Sequence, residues 1–443
     1  MNRPPALLPR LSAMMFLQYA IWGAWLPILW PFLAVHRGFD ESQIATMFAV
    51  GAIGALLAPF VAGQIADRFF ATEKFLGASH LLGAVLVWQL ANLDSYYAFL
   101  LFSLAYSVLY APTLALTNSL AFHHLEDRDR QFGRVRLWGT VGWIVVGIAV
   151  GQWLLHRHTP SGPEVTPAMV EAAQAAGRAD AFRLSAVLGA ILGIYCLSLP
   201  HTPPSKGQSE YAAFAAISAV RRNPLLTLFL VSIPISCIHQ FYFVHTSGFL
   251  SAFQNKAASS INSVLGVGGG GLMTIGQMSE ILVLAGIPLF AKRVSRKTLL
   301  LVGTAAYALR MALFAHVDAL PFPPIATLVA GVALHGLCFG CFIFVAFMIV
   351  DEETSPDVRA SAQSLYNLVI IGVGIIVGSL TAGRAATWAK GASPRLDYAD
   401  PSQTHALFEV PMWAALACFL LLVLFYPSRA SASCMPSSLS SSA

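Results

Sequence analysis

The sequence has little charge for its length: 11% of its 443 residues are Asp, Glu, Lys or Arg, whereas 57% are hydrophobic. Soluble globular domains carry about 25% charged residues, so this composition excludes an ordinary soluble domain. The charges are concentrated between long apolar runs, and each run can cross a bilayer as a helix of about 20 residues. The runs do not alternate between apolar and polar residues, which excludes a membrane β-barrel. We therefore predict an all-α membrane protein.

The first apolar run contains Trp22, Trp25 and Trp30. It is too long and too aromatic for a cleavable signal peptide, so we interpret it as the first membrane span. The sequence predicts twelve spans, at 11–34, 44–66, 75–93, 97–122, 137–156, 182–199, 224–252, 264–290, 298–316, 324–350, 360–383 and 408–426.

Cysteine and catalytic motifs are also scarce. Five of the six cysteines lie in predicted spans. Cys338 and Cys341 share a helical face, as a metal or redox pair would, but no third ligand lies nearby, and buried cysteine usually packs as a small hydrophobe. The chain lacks His-Glu-x-x-His, Gly-x-Ser-x-Gly and paired catalytic acids. These absences argue against an intramembrane enzyme that uses Glu280 and the span histidines.

The formal net charge of +5 does not indicate nucleic-acid binding, because the basic residues are distributed by loop. With both termini placed in the cytoplasm, seventeen Lys and Arg lie on cytoplasmic segments and eight on outer loops, while Arg310 lies inside a span. This bias follows the positive-inside rule. We expect a multi-pass protein of the cell inner membrane with both termini in the cytoplasm.

A polar stretch near 201–223 divides the chain into six spans and six spans. We predict an N-terminal six-helix half (1–200), a cytoplasmic linker (201–223), a C-terminal six-helix half (224–427) and a Ser-rich cytoplasmic tail (428–443). Short basic hairpins follow spans two and eight, which is the arrangement of major facilitator transporters. Gly63-x-x-x-Asp67-Arg68 resembles a reduced form of the loop signature of that superfamily.

Acidic residues 351–353 cap the cytoplasmic end of the tenth span. We expect Asp351 to pair with Arg359 or with a neighbouring basic loop, as a latch between conformational states. The loops at 157–181 and 388–407 and the tail after Pro427 are expected to be disordered or variable.

Six short runs resemble the bacterial nucleoside:proton symporter family of the major facilitator superfamily: FLQYAIWGAW (16–25), YAPTLALTN (110–118), RLWGTVGW (136–143), QMSE (277–280), LRMALFA (309–315) and VRASAQ (358–363). The runs are spread over nearly the whole chain. The resemblance implies a monomeric carrier of nucleosides that works by alternating access in the lipid bilayer. It implies a proton gradient as the energy source and no cofactor.

Two groups of polar residues recur at helical spacing. Arg136, Thr140 and Trp143 line one face of the fifth span, and Gln277 and Glu280 share a face of the eighth. A nucleoside site needs aromatic faces for the base and amide or carboxylate groups for the ribose. The resemblance implies that these positions bind substrate, together with Gln240, His335 and Phe339, and we count Phe243 among the candidate substrate-binding residues.

Each of these residues also has a structural interpretation. Arg136 is a basic anchor at a helix end, and glycines beside Thr140 and Trp143 favour close helix packing. Gln240 is equally suited to bonding a neighbouring helix, and a single histidine such as His335 is often structural.

The resemblance also exposes two departures. Relatives carry an asparagine where this chain has Phe243, and they can carry an acid where it has Gly340. The first change removes a contact to substrate that the resemblance implies. The second leaves Glu280 as the only carboxylate in the predicted membrane interior available for proton coupling.

A carboxylate at mid-membrane costs about 3 kcal/mol, so Glu280 needs a partner or a wet cavity. Counted from Val294 in the hairpin, Glu280 lies fourteen residues back and Arg310 sixteen forward. At about 1.5 Å per residue the two lie at similar depth, so a structural Glu280–Arg310 ion pair competes with proton coupling as an explanation. Transport of a sugar or a modified nucleoside, with or without protons, and a non-transporting receptor are also compatible with the sequence.

Overall fold

The computed structural model describes residues 7–60, 70–203, 220–254, 259–290, 293–355 and 358–428. The described residues form helices, turns and loops, with no strand among them. The first six long helices are α1 (Leu7–Trp25, continued by short helical segments to His36), α2 (Glu41–Phe60), α3 (Thr72–Leu90), α4 (Tyr96–His124), α5 (Arg128–Arg157) and α6 (Ala179–Cys196).

The last six long helices begin with α7 (Leu225–Gln254), α8 (Gly270–Phe290) and α9 (Arg296–Ala315). The helix α10 joins Pro324–Ala333, His335–Leu337, a π-helical segment Cys338–Phe344 and Val345–Glu352. The helix α11 joins Arg359–Asn367, a π-helical segment Leu368–Val373 and Gly374–Ala389, and α12 spans Pro401–Phe425. The predicted all-α membrane fold is confirmed.

Eleven helices of the described part of the chain are long and apolar enough to cross a membrane. The more polar α3 packs against α4 and α6 as a twelfth. A helix satisfies its own backbone hydrogen bonds, so a bundle of helices is stable in lipid where irregular backbone is not. The π-helical segments interrupt this regularity within α10 and α11, and such bulges are frequent at functional sites.

Two of the loops expected to be disordered are ordered. Thr166 caps a short helix, Pro167–Gly177, by accepting a hydrogen bond from the backbone of Met169, and Gln174 of that helix is buried. In the loop before α12, Tyr398 is buried and bonds His245 of α7 at 2.8 Å. Of the two expectations, disorder is wrong at both places, because packing against the bundle orders segments whose composition is polar; variability stays a prediction. The tail from 429 lies outside the described residues.

The two ends of the bundle are distinguished by chain contacts. At one end, here called the terminus end, the Tyr195 hydroxyl of α6 donates to the carbonyl of Arg10 in α1 at 3.1 Å. At the same end of the C-terminal helices, Lys297 of α9 donates to the Tyr426 carbonyl after α12 at 2.7 Å. The opposite end, here called the loop end, holds the start of α2 and the end of α11.

At the loop end, the first and last six helices are tied together. The Lys390 ammonium lies 2.9 Å from a Glu41 carboxylate oxygen, and the Leu396 amide donates to the other oxygen at 3.0 Å. Glu41 is 5% exposed, so both bonds are shielded from water. Nearby, the Arg178 guanidinium of the first half donates to the Ser251 hydroxyl of the second at 3.3 Å.

A short helix before α8, Ser259–Leu265, contacts α5 and reinforces this closure. The Gln152 side-chain amide donates to the carbonyls of Ser263 and Val264 at 2.8 and 3.0 Å. A Cβ added at Gly151 would lie 2.7 Å from the Leu265 carbonyl oxygen, so the two backbones touch because this position has no side chain. The loop end is thus sealed between the halves.

Candidate functional site

The candidate site is built on a close backbone contact between α8 and α10. The Gly336 amide of α10 donates to the Ser279 hydroxyl of α8 at 2.9 Å. A Cβ at Gly336 would lie 2.4 Å from the Ser279 carbonyl oxygen, and one at Gly276 would lie 3.0 Å from the His335 Cβ. Because these glycines carry no side chain, the helices approach closely enough to set His335 beside Glu280.

Arg310, His335 and Glu280 form a row across three helices. The Arg310 Nη1 lies 3.2 Å from His335 Nδ1, and the opposite ring nitrogen, Nε2, lies 3.6 Å from Glu280 Oε2. A guanidinium has donors but no acceptor, so Arg310 donates and Nδ1 accepts. The proton of the neutral imidazole is then on Nε2, where it points at the Glu280 carboxylate. Arg310 therefore determines the tautomer of His335.

Arg310 itself is fully buried, at 0% exposure. Its guanidinium carbon lies 4.2 Å above the ring of Tyr242 and 5.1 Å from that of Tyr307, as in cation–π contacts. Its Nε and Nη2 have no hydrogen-bond partner within the described protein. The direct ion pair with Glu280 is not formed among the described residues, because His335 lies between the two charges at the predicted common depth.

The Glu280 side chain is partly exposed. It is 15% exposed, whereas the side chain of His335 is 2% exposed. Its electrostatic interaction with the Arg136 guanidinium reaches across to the first half of the protein. Glu280 is therefore placed between a buried histidine on one side and the opening between the halves on the other.

An aromatic wall surrounds this row on the second half. The ring of His335 stacks on Tyr242 at a centroid distance of 5.0 Å and on His239 at 5.3 Å. Phe243 meets the His335 ring edge to face at 6.0 Å, and Phe339 stacks beside it at 6.5 Å. Phe339 lies in the π-helical segment of α10, and its ring faces His239 of α7 at 6.3 Å.

The first half supplies the facing wall. The Arg136 guanidinium carbon lies 4.0 Å over the ring of Tyr19, and Thr140 is half-buried one turn further along α5. Trp143, a further turn along, meets Phe243 of α7 edge to face at 6.3 Å. The structure therefore brings the α5 residues and the α7–α8–α10 residues to the same space between the halves.

The two predicted glutamines have different surroundings. Gln240 is 6% exposed and its amide donates to the Ser379 hydroxyl of α11 at 3.0 Å, so it does bond a neighbouring helix. Gln277 is 5% exposed, and its Oε1 has no hydrogen-bond partner in the described protein. A buried acceptor without a partner costs free energy, and Gln277 is one turn from Glu280. The Gln277 side chain therefore offers an acceptor, Oε1, to which a ligand can donate a hydrogen bond.

Gly340 does not face the row. A Cβ at this position would lie 2.7 Å from Val283 Cγ1 and 3.4 Å from Ile287 Cδ1 on α8. An acidic side chain here would meet apolar groups, and the Val283 side chain would have to shift to admit the second carboxylate that the resemblance associates with the position.

The predicted gating residues are placed as follows. The Arg359 Nε lies 3.5 Å from Asp351 Oδ1, between the end of α10 and the start of α11. Both residues belong to the last six helices, so the pair does not itself join the halves. Asp67 and Arg68 lie outside the described residues.

Sequence reasoning did not single out two members of the site. His239 Nδ1 lies 2.7 Å from the Tyr307 hydroxyl, and the His239 ring contacts Phe243 and Phe339 at 5.3 and 6.3 Å. His239 precedes Phe243 by four residues and thus shares its helical face. This spacing is the sequence feature from which His239 could have been predicted as a member of the site. Tyr307 is three residues before Arg310 and carries the same signal on α9.

Comparison with known proteins gives a consistent family. The profile of the nucleoside H⁺ symporter family matches residues 6–429. The chain is 33% identical to the putative nucleoside transporter YegT of Escherichia coli K12 over 83% of this chain and 82% of that protein. It is 28% identical to the nucleoside permease NupG of the same organism, covering 85% and 87%, and 28% identical to its xanthosine permease, covering 94% of each.

Solved structures of a nucleoside transporter have the same fold as this chain. The crystal structure of the nucleoside transporter NupG superimposes with a TM-score of 0.78 at 26% identity, covering 95% of this chain and 100% of that one. A crystal structure of a NupG mutant gives 0.80 at 25% identity, covering 94% and 99%. These similarities confirm the major facilitator fold and identify a multi-pass membrane transporter, not an enzyme. The chain belongs to the nucleoside H⁺ symporter family.

Proposed function

We propose that this protein carries nucleosides across the cell inner membrane together with protons, by alternating access. The matched family is named for nucleoside and proton symport, and the relatives are named as nucleoside or xanthosine carriers. The observation that carries the proposal is the row Arg310–His335–Glu280, which presents a single carboxylate beside aromatic faces and an unpartnered amide acceptor.

The base and the ribose of a nucleoside match the side chains on the two walls of the site. The flat base is an aromatic ring system, which prefers offset or edge-to-face contacts with other rings, and Trp143, Phe243 and Phe339 offer such faces between the halves. The ribose hydroxyls are donors, and the partnerless Gln277 Oε1 and the Glu280 carboxylate are acceptors within one turn of each other. Binding would therefore satisfy a buried acceptor that the protein alone leaves unpaired.

Proton coupling rests on Glu280. When its carboxylate is ionised, it attracts the Nε2 proton of His335 and the guanidinium of Arg136. When the carboxyl is protonated, both attractions weaken. The α8–α10 wall and the α5 wall are then held together differently in the two protonation states. A ligand can shift an equilibrium only through such a difference between states, and this difference links proton binding to movement of the halves.

Alternating access requires that one end of the bundle be closed while the other admits solute. The Glu41–Lys390 contact and the contacts of α5 with the helix Ser259–Leu265 close the loop end. From the excess of basic residues we infer that the terminus end faces the cytoplasm. Under our proposal, the described conformation therefore faces the cytoplasm. The proposed carrier is a monomer that needs the lipid bilayer and a proton gradient but no cofactor.

A second candidate, uniport of a different polar solute, draws on two features. Phe243 presents an apolar ring beside His335, where a hydrogen-bonding group would bind a hydroxyl. Gly340 supplies no second acid, and a Cβ there would meet apolar side chains of α8.

Uptake into proteoliposomes distinguishes the two candidates. We expect labelled uridine and adenosine to enter faster under an inward proton gradient than without one, and a protonophore to remove the difference. Labelled glucose serves as the solute control, and Glu164→Gln, an exposed loop acid, serves as the matched protein control with unchanged uptake. Uptake that is indifferent to the gradient would contradict symport, and glucose uptake without nucleoside uptake would contradict the substrate.

A further inference from the structure

Outside the central site, the described residues contain one cluster of side chains with metal-ligand chemistry. It consists of His316, His405 and Glu409, whose ligand atoms all lie within 4.8 Å of one another. His405 Nε2 lies 3.4 Å from Glu409 Oε1, and the ring centroids of His316 and His405 are 4.7 Å apart. The cluster joins the end of α9 to the first half of α12 at the loop end.

The three residues are placed by local structure. His405 and Glu409 are one turn apart on α12 and therefore share a face. His316 follows the last residue of α9. Its amide donates to the Ala312 carbonyl at 3.0 Å, and its own carbonyl accepts from the Ala319 amide at 3.0 Å. The turn thus fixes the backbone of His316 at the end of α9 without using its imidazole.

We propose that His316, His405 and Glu409 bind a zinc-type divalent ion. Two imidazoles and one carboxylate are a ligand set of zinc sites, which bind nitrogen and carboxylate oxygen at about 2.0–2.2 Å and leave a fourth position for water. Two ligands of a tetrahedral site at that range are roughly 3.4 Å apart. The His405–Glu409 separation already matches this value, and the ligand nitrogen of His316 lies within 4.8 Å of both other ligand atoms.

The site is open to solution. The side chain of His405 is 47% exposed and that of Glu409 is 32% exposed, so an ion can reach them without unfolding. Both helices belong to the last six, and α9 packs directly on α12. A bound ion would therefore brace one half of the transporter without joining the two halves. It would raise thermal stability and leave the relative movement of the halves free.

The test is calorimetric titration of ZnCl₂ into the purified full-length protein in detergent, with the affinity tag removed. We expect one ion per chain and an increase of the unfolding temperature. His316→Ala and the nearly isosteric Glu409→Gln should each weaken zinc binding by more than about tenfold. Loss of a residue that only supports a metal ligand already costs about tenfold in affinity, so loss of a ligand should cost more. His156→Ala, an exposed histidine near the same end, should bind as the unsubstituted protein does.

The variant Glu409→Gln keeps the proposal falsifiable if His316→Ala fails to fold. The proposal is overturned if the unsubstituted protein binds no zinc, or if Glu409→Gln binds it with unchanged affinity and stoichiometry. A Co²⁺ titration supplies an independent readout, because a tetrahedral site gives Co²⁺ much more intense visible absorption bands than hydrated Co²⁺ has, and these intense bands should vanish in His316→Ala. Retention of those bands would also overturn it.

Discussion

Replacing Arg310 with leucine separates two explanations for the buried charges. If Arg310 neutralised Glu280 directly, its removal would leave an uncompensated buried carboxylate and cost about 3–5 kcal/mol. The geometry predicts a smaller effect, because the bonding partner of Arg310 is the His335 ring nitrogen and not the carboxylate.

The expected magnitude follows from three contributions. An unsatisfied His335 Nδ1 costs about 1–3 kcal/mol, and loss of a desolvated cation–π contact with Tyr242 costs about 2 kcal/mol. Against these losses, the protein no longer buries a guanidinium whose Nε and Nη2 lack partners, which recovers several kcal/mol. We therefore expect Arg310→Leu to change the free energy of unfolding by less than about 2 kcal/mol.

The assay is a pair of double-mutant cycles on unfolding in detergent. One cycle combines Arg310→Leu with His335→Phe, and the other combines it with Glu280→Gln. We expect a coupling energy of at least about 0.5 kcal/mol in the first cycle and a smaller one in the second. Arg310→Lys is the conservative control, because lysine keeps the positive charge but lacks the planar set of guanidinium donors. The reasoning is refuted if Arg310→Leu costs about 3–5 kcal/mol and Glu280→Gln restores the loss.

Three further predictions concern the walls of the site and the closed end. Gly336→Ala should destabilise the protein by about 1–3 kcal/mol and slow uptake, because the new Cβ would lie 2.4 Å from an α8 backbone oxygen; Gly51→Ala, with open space around it, should leave both unfolding and uptake unchanged. Glu41→Gln should open the loop end by removing the charge that Lys390 contacts, seen as faster labelling of cysteines introduced there; unchanged labelling would contradict the closure. Phe243→Asn should tighten equilibrium binding of uridine by one hydrogen bond, or roughly three- to tenfold, and unchanged affinity would show that this position does not contact substrate.

The sequence was sufficient to predict the fold class. Apolar runs of bilayer length predict the spans directly, because lipid accepts only backbone that is bonded within its own segment. The breaks within the spans were not predictable in this way. The π-helical segments of α10 and α11 lie in uniformly apolar stretches. The segment of α10 packs against α8 and α9, and the segment of α11 packs against α2 and α7.

The depth of the site residues within the membrane was predictable from the sequence, but the direction in which their side chains point was not. Counting residues from the hairpin gave Glu280 and Arg310 a common depth, but a count along an axis does not determine which way each side chain points. The structure sets His335 between them because glycines at 276 and 336 bring α8 and α10 into backbone contact. The role of His239 was missed for the same reason, since its ring direction is fixed by the Tyr307 hydroxyl on another helix.

The central claim is that Glu280 carries the coupled proton, and the accumulation ratio of uridine in proteoliposomes tests it directly. One pH unit supplies about 1.4 kcal/mol per proton, enough for about tenfold accumulation at one proton per substrate. We predict accumulation approaching that ratio for the unsubstituted protein and for Glu164→Gln. For Glu280→Gln, we predict that uridine, where it still enters, equilibrates at a ratio near one. Accumulation by Glu280→Gln to the same ratio as the unsubstituted protein would contradict the claim.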